Sequence, residues 1–261
     1  MKPELVDKVN VAFVHVVGPI GAGKSTMIKR AQKNPAQFIT LLAQSPSFAW
    51  LHDWTTTNTV VETAAEDPTK WKSVSGESYL DLMYADPKQH ATDFQGVVMI
   101  DSISSARQAV FAALRRVEPC TKNILIVTDG CINTGCQVFA QNCRESGFIN
   151  DEQWEKYFRM FQTLEKSWAA DLECQANHAG VPITVSVRGT VYLCTPFEET
   201  LTRIKERGRE CEQVLPQTYL RSIYDRHDYL MKSADYHAGP VLHVVDTRVD
   251  EESQFTIIKD E

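Results

Sequence analysis

The chain has 261 residues, of which 43% are hydrophobic, and its formal net charge is −7 at pH 7. This length fits one large α/β domain over residues 1–261 better than two ordinary ones. The net negative charge argues against sequence-independent binding of nucleic acid, which needs many cationic side chains facing the phosphates. Since no segment approaches the roughly 18 uninterrupted apolar residues of a membrane span, and the first residues do not resemble a signal peptide, we expect a cytosolic or nuclear protein without a membrane partner.

Short apolar runs alternate with longer helical stretches along the chain. These runs are rich in β-branched residues, as buried strands are. They are Val11–Val17, Phe38–Ala43, Ile124–Thr128, Val191–Cys194 and Val241–Val245. The alternation predicts an α/β fold with a five-stranded parallel sheet, helices on both faces, and ligands bound at the carboxyl ends of the strands.

The first predicted strand leads directly into a glycine-rich loop with the pattern GxxxxGKS, and a helical stretch, Met27–Lys33, follows it. In this context the pattern is typical of a phosphate-binding loop, whose backbone N–H groups and helix N-terminus hold anionic oxygens. The residues expected to hold the phosphates of ATP are Gly18, Gly21, Ala22, Gly23, Lys24, Ser25 and Thr26.

The same motif predicts a magnesium site. The Ser25 hydroxyl is expected to bind Mg²⁺, and Lys24 to reach the outer phosphates. A second metal-side group is expected to be a carboxylate at the end of another strand, and Asp129 directly follows the run Ile124–Thr128. An aspartate at this point is also a common turn or helix-cap residue.

Two long helices are expected in the middle of the chain. Ala91–Val117 is largely apolar, and Asn150–Ala170 opens with Asn150 and Gln153 at the spacing of a capping box. An apolar helix as long as Ala91–Val117 must bury more than one face, which is compatible with packing against a second copy of the chain.

A later helix carries two arginines, and a third follows its end. The segment Thr195–Glu198 has a start signal in which the threonine caps the helix, and Gly208 is expected to end it. Arg203 and Arg207 lie four residues apart on one face, and Arg209 follows the glycine. Such a run is ordinarily a solvated surface, but phosphoryl transfer also needs mobile cations that close over a triphosphate.

Three segments together resemble the deoxynucleoside kinases, the family of deoxycytidine, deoxyguanosine and mitochondrial-type thymidine kinases. These are the loop Gly18–Thr26, the segment Val138–Phe158 and the segment Leu201–Leu220. The last resembles the lid of that family, here about residues 201–213. The resemblance implies a P-loop kinase fold, ATP and Mg²⁺ as cofactors, a deoxynucleoside substrate and a homodimer. It also makes the lid arginines triphosphate ligands, with Arg203 and Arg207 acting in catalysis beside Lys24 and Asp129.

The resemblance further implies a nucleoside site. Tyr84 matches the tyrosine that binds the sugar 3′-hydroxyl, and Glu212 matches the glutamate that shares this hydroxyl. Phe94 and Gln95 resemble a pair whose amide binds the base edge, and Phe139 matches the ring that stacks on the base.

Three further positions concern recognition of the nucleoside base. By resemblance, Trp50 walls the base pocket. Cytidine and purine members of the family carry an arginine and an aspartate near the base. The matching positions here are Ser102 and Gly135, which favours thymidine or a broad pyrimidine preference.

Two positions depart from the pattern of the family. Its general-base glutamate follows the second strand, where this sequence is read as Gln44–Pro46, with Ser45 in place of the carboxylate. Its arginine after the third strand is replaced by Gly130. Asp53, Glu62 or a lid arginine are possible substitutes that the sequence does not place.

The sequence therefore predicts an ATP-dependent deoxynucleoside kinase for nucleotide salvage, with activity reduced by the two departures. Positioning and Mg²⁺ supply much of the chemistry of phosphoryl transfer without these groups. An alternative is a catalytically degenerate relative that binds nucleotide or nucleoside as a scaffold or regulator. A nucleoside monophosphate kinase shares the loop, but the pairing of Tyr84 with Glu212 favours a free sugar hydroxyl.

Overall fold

The structure, a computed structural model, describes residues 8–233, 236–249 and 252–258. Its centre is a six-stranded sheet with the spatial order β2-β3-β1-β4-β5-β6. The strands are β1 (Val9–Val17), β2 (Thr59–Ala64), β3 (Asn123–Asp129), β4 (Ile183–Leu193), β5 (Val241–Val249) and β6 (Glu252–Ile257). The first five are parallel to their neighbours and β6 pairs antiparallel with β5.

The predicted strand Phe38–Ala43 is wrong. These residues lie in a helix, α2, which begins with Pro35 at its first turn and buries Phe38, Ile39 and Leu42 at helical spacing. The strand actually present, β2, was not predicted because it lies at the edge of the sheet. Its central residues are only partly buried, so it lacks the continuous apolar run on which the prediction depended.

Three of the other predicted strands lie within β1, β3 and β5, and the fourth, Val191–Cys194, extends one residue beyond the end of β4. The remaining elements are helices, and short turns of other helical types accompany them. The α-helices are α1 (Lys24–Lys33), α2 (Pro35–Ala43), α3 (Tyr79–Ala85), α4 (Pro87–Leu114), α5 (Ile132–Thr134), α6 (Gln141–Glu145), α7 (Asp151–His178), α8 (Phe197–Arg207), α9 (Glu210–Gln213) and α10 (Gln217–Lys232). A π-helical turn, Gly135–Ala140, joins α5 to α6, and 3₁₀ turns cover Pro46–Asp53 and Pro68–Lys70.

The predicted helix starts are partly confirmed. Asn150 and Gln153 form the expected capping box at the start of α7. At α8, however, Pro196 occupies the cap position and Thr195 does not cap the helix. The Thr195 hydroxyl instead donates a hydrogen bond of 2.9 Å to the carbonyl of Ala22, because α8 packs directly on the glycine-rich loop.

Helices cover both faces of the sheet. On one face, α1 and α2 pack on the strands, with Met27 and Phe38 fully buried in the core. On the other face, α4 and α7 bury Val110 and Ala176 against β1 and β3. Among the described helices, α4 alone is long and apolar enough to cross a membrane by length and composition, a property that packed helices of folded domains share.

Candidate active site

An open cleft lies at the carboxyl ends of β1 and β3 and measures about 1170 Å³ with its solvent-filled mouth included. The register explains its position. Val16 near the end of β1 pairs with Asp129 at the end of β3, and Ala64 at the end of β2 pairs with Thr128. The segments that leave these three strands are therefore neighbours, and they form one end of the cleft.

The glycine-rich loop Gly18–Thr26 forms the floor of this cleft and leads into α1. Lys24 Nζ donates hydrogen bonds to the carbonyls of Gly18, at 3.0 Å, and Pro19, at 3.3 Å. Gly21 has a φ of 83°, and a Cβ there would lie 2.5 Å from the carbonyl oxygen of Thr200. Only glycine fits this close approach between the loop and α8.

Ser25 and Asp129 could hold a divalent cation. Ser25 Oγ lies 3.4 Å from Asp129 Oδ2. The other oxygen, Oδ1, is buried and has no hydrogen-bond partner, which is costly unless another ligand satisfies it. A hydroxyl beside a carboxylate suits the oxygen preference of Mg²⁺, so these residues fit the metal that the sequence predicts.

The cleft contains a carboxylate that the sequence analysis missed. Glu66 follows β2 by two residues and lines the cleft together with Lys24, Ser25 and Asp129. Glu66 is solvent-exposed on the side of the cleft. The protein atoms packed near its carboxylate, together with the nearby charge of Asp129, raise the pKa of Glu66 to about 7. A carboxyl group with a pKa near neutrality is suited to general-base catalysis.

The earlier reading of Gln44–Pro46 as the general-base position is therefore wrong. That stretch follows helix α2, not the second strand, and Ser45 is buried outside the cleft. Neither carboxylate that was considered as a substitute lies in the cleft: Glu62 forms a salt bridge of 3.0 Å with Arg116, and Asp53 ends a 3₁₀ turn. The signal for Glu66 was its place just after a strand that the sequence analysis did not recognise.

Burial also raises the pKa of Asp129, and the nearby charge of Lys24 lowers it. The two carboxylates thus share one poorly solvated space with a single loop lysine. A cationic or metal ligand would favour their charged forms.

The residues predicted to hold a nucleoside line the other end of the cleft. Apart from Trp50, all of them meet there: Tyr84, Phe94, Gln95, Phe139 and Glu212. Gln95 is 3% exposed, and its Nε2 lies 3.9 Å from Cys143 Sγ. Because this buried amide has only a weak hydrogen-bond partner, its donor and acceptor remain available to the polar edge of a bound base.

Trp50 lies outside the cleft, so the structure does not bring it to the predicted base pocket. It belongs to the 3₁₀ turn after α2, where it stacks near Phe48 and the guanidinium of Arg188 lies 4.7 Å from its ring centroid. Trp71 lines the cleft in its place and contacts Phe94 edge to face at 5.7 Å.

Two lid arginines reach the cleft and converge on one carboxylate. Arg207 donates to Oε2 of Glu212 from Nε at 3.1 Å and from Nη2 at 2.5 Å, and Arg209 donates to Oε1 at 3.1 Å. Glu212 is 5% exposed. The carboxylate predicted to bind the sugar therefore also positions the cations predicted to bind the triphosphate.

Arg203 occupies a different place from the other two. It is 6% exposed, donates to the carbonyl of Ala22 at 3.2 Å and pairs with Glu199. It does not line the cleft, and its hydrogen bond to Ala22 ties α8 to the back of the glycine-rich loop.

Helix α10 contributes two residues that the sequence analysis also missed, Tyr219 and His227. His227 is buried, and this desolvation lowers its pKa to about 3. Nδ1 of this neutral ring donates to the carbonyl of Ile223 at 2.9 Å. The ring edge packs against Phe139 with centroids 5.4 Å apart, so His227 supports the aromatic wall of the nucleoside end.

Comparison with known proteins identifies the family. A family model described as deoxynucleoside kinase matches residues 14–261. Deoxycytidine kinase 1 of Xenopus laevis is 25% identical over 222 residues, which cover 85% of this chain and 74% of that protein. Thymidine kinase 2, mitochondrial, of Homo sapiens is 26% identical over 186 residues, 70% of this chain and 60% of that protein. Deoxyadenosine kinase of Dictyostelium discoideum is 27% identical over 170 residues, 65% and 58% of the two chains. The chain thus belongs to the deoxynucleoside kinase family and has its P-loop kinase fold.

Proposed function

We propose that this protein transfers the γ-phosphoryl group of ATP to the 5′-hydroxyl of a deoxynucleoside. The observation that carries the proposal is the position of Glu66. It lines the same cleft as Lys24, Ser25 and Asp129, so a general base and a phosphate-binding loop face one space.

In the proposed reaction, Glu66 accepts the proton of the 5′-hydroxyl as the oxygen attacks the γ-phosphorus. A bond forms between that oxygen and phosphorus, the bond to the bridging oxygen breaks, and ADP leaves. Lys24 turns from the carbonyls of Gly18 and Pro19 to the phosphate oxygens. Mg²⁺, held by Ser25 and Asp129, would neutralise phosphate charge.

Contacts at the far end of the cleft support a nucleoside as the acceptor. Tyr84 and Glu212 together offer a hydroxyl and a carboxylate to a sugar hydroxyl. Gln95 offers a donor and an acceptor to a base edge, which then stacks beside Phe139. Arg207 and Arg209 are the lid cations placed to close over the triphosphate.

The base preference that we propose is pyrimidine, with thymidine first. Ser102 and Gly135 line the same cleft as Gln95, and neither carries a charge that would select an amino-substituted base edge. The identity of the base is best tested by comparing kcat/KM for the four deoxynucleosides.

We also propose a homodimer formed through α4. This helix is apolar along most of its length, yet only 28% of its most apolar window is buried within one chain. Ile100 on this helix is 55% exposed. Sedimentation or light scattering would measure the mass in solution, and a monomer at all concentrations would contradict the proposal.

A second candidate function is binding without efficient transfer, and Gly130 favours it. No side chain at this position can supply a cation beside Glu66, and a transition-state arginine in phosphoryl transfer contributes about 10³–10⁵-fold. A protein of this kind would bind ATP and nucleoside as a scaffold or regulator.

One experiment separates the two functions. Transfer of labelled phosphate from ATP to each deoxynucleoside is measured with Mg²⁺, alongside thermal stabilisation by ATP and by nucleoside. Transfer by the wild type that Lys24→Ala abolishes supports the kinase. Stabilisation without transfer supports the binder. Unchanged ATP affinity in Lys24→Ala would contradict both, because each depends on the loop.

A further inference from the structure

A second cavity adjoins the active-site cleft behind Glu66 and Gly130. It lies between the sheet and helices α4 and α7, is partly open to solvent, and measures about 600 Å³ with this open part included. Glu66, Asp129 and Gly130 line both spaces, so the two are connected at the point where the acceptor hydroxyl would be activated. We call this space the side cavity.

Several hydrogen-bond acceptors line the side cavity. His15 is 7% exposed, and its Nδ1 lies 2.7 Å from the hydroxyl of Thr128. That hydroxyl donates at 2.7 Å to the carbonyl of Gly130, so its proton is used and it must accept from His15 Nδ1–H. Nε2 of His15 therefore carries the lone pair, and burial lowers the pKa of the ring to about 4, which keeps it neutral.

Two carboxylates complete this set of acceptors, Asp101 and Glu66. Several donor groups in or next to the wall are already engaged. The Ser102 hydroxyl donates to the carbonyl of Val98 at 2.9 Å, Trp71 Nε1 donates to Asp101 at 2.9 Å, and Asn133 Nδ2 donates to Glu165 at 2.6 Å. The two carboxylates therefore favour a ligand that brings hydrogen-bond donors, and a positive charge would offset them.

The backbone leaves room for such a ligand beside Glu66. Gly130 has a φ of 73°, and a Cβ there would lie 3.4 Å from Glu66 Oε1. A group occupying the space above Gly130 would thus contact the carboxylate proposed as general base. His15, Asp101 and Glu66 present acceptors around a site that a flat cation with hydrogens at its rim can fill.

From this geometry we infer that the side cavity is a binding site for a small guanidinium-type cation, which acts as an activator of phosphoryl transfer. The bound cation would supply positive charge next to Glu66, where position 130 has no side chain. The binding site stands by itself, whereas the activation rests on the proposed kinase function.

The test uses guanidinium chloride at low millimolar concentration on the full chain. Urea, which has the same shape without the charge, and sodium chloride at equal ionic strength are the controls. We expect a saturable rise in kcat of roughly tenfold, a small part of what a tethered arginine contributes in phosphoryl transfer. We also expect a saturable rise in Tm without nucleotide, whereas urea leaves both quantities unchanged.

Two variants locate the effect. Gly130→Arg places a tethered guanidinium at the mouth of the side cavity and should remove the response to the free cation. Gly130→Ala imposes similar backbone strain without a charge and should keep the response. Asp101→Asn preserves an acceptor for Trp71, removes one carboxylate, and should weaken the response at least severalfold even if Gly130→Arg fails to fold.

The outcomes separate this inference from the proposed function. Transfer by the wild type without any saturable effect of guanidinium on kcat or Tm would overturn the side-cavity site and leave the kinase standing. An equal effect of urea, or an undiminished response in Asp101→Asn and Gly130→Arg, would also overturn it. A guanidinium-specific rise in Tm without any transfer would support the site and contradict the kinase.

Discussion

Arg207 donates two hydrogen bonds to a single carboxylate oxygen of Glu212, and this pair joins the lid to the nucleoside end of the cleft. Arg209 donates a hydrogen bond to the other oxygen of this carboxylate. Because one buried carboxylate positions both arginines and faces the proposed sugar site, binding of the nucleoside and closure of the lid over ATP depend on the same group.

Replacement of Glu212 by glutamine should impair recognition of the sugar. Loss of a hydrogen bond to a charged group costs about 1.5–3 kcal/mol, so KM for the deoxynucleoside should rise about 10- to 100-fold. The wild type should discriminate against 2′,3′-dideoxynucleosides, and Glu212→Gln should lose most of this discrimination. Steady-state kinetics with both substrates measures the effect.

Glu199→Gln is the matched control, because Glu199 also pairs with an arginine of α8, Arg203, but away from the cleft. It should lower Tm and leave the discrimination intact. Equal discrimination in Glu212→Gln and the wild type would contradict the assignment of Glu212 to the sugar.

Replacement of Glu66 by glutamine should remove the general base. A general base contributes about 10²–10⁴-fold, so kcat should fall by that range while KM for ATP changes little. Ser45→Ala is the control for the position that the sequence first suggested, and it should keep near wild-type kcat. A Glu66→Gln variant that is folded and fully active would contradict the proposed role.

The pH dependence of the reaction should follow Glu66. Its pKa is raised to about 7, so the base is protonated at lower pH. With a single group titrating, log kcat/KM for the nucleoside should fall with a slope of one below about pH 7. Rates measured from mildly acidic to mildly alkaline pH should show this limb in the wild type, and Glu66→Gln should lack it.

The same pKa has a consequence for stability. A carboxyl group whose pKa is higher in the folded than in the unfolded state stabilises the fold at low pH, and this contribution is lost as pH rises through the folded value. The wild type should therefore lose Tm relative to Glu66→Gln between the unperturbed value of 4.5 and about pH 7. A Tm difference that is constant over this interval would contradict the raised pKa.

Replacement of Trp71 and replacement of Trp50 should have different effects. Trp71 lines the cleft, so Trp71→Ala should raise KM for the deoxynucleoside roughly tenfold through loss of an aromatic wall. Trp50 packs on the core beside Arg188, so Trp50→Ala should lower Tm without a comparable change in KM. Kinetics and thermal denaturation of both variants test this contrast, and a KM effect confined to Trp50→Ala would reverse it.

The loop Gly18–Thr26 could be recognised from the sequence because its chemistry is local. A buried strand, a run of glycines, one lysine and a helix start follow each other within a short stretch. The same holds for the end of β3 at Asp129 and for the capping box at Asn150. In these places the local structure depends on residues that are close in sequence.

Glu66, the proposed general base, was missed for the opposite reason. Phe38–Ala43 is as apolar as a buried strand, but Pro35 and the packing of Phe38 and Leu42 on the core make it a helix. β2 looks polar because an edge strand buries only part of its surface. Pairing with β3 decides where Glu66 lies, and pairing is a property of distant residues.

The sequence by itself thus determined the family, the phosphate loop and many of the residues that meet in the cleft. Only the tertiary structure placed the Glu66 carboxylate in the cleft, Arg203 behind the loop, and Trp71 instead of Trp50 in the wall. The physical reason is that local patterns record backbone preference and burial. The meeting of side chains from β2, β3, α4, α8 and α10 depends on strand register and helix packing, which no single segment encodes.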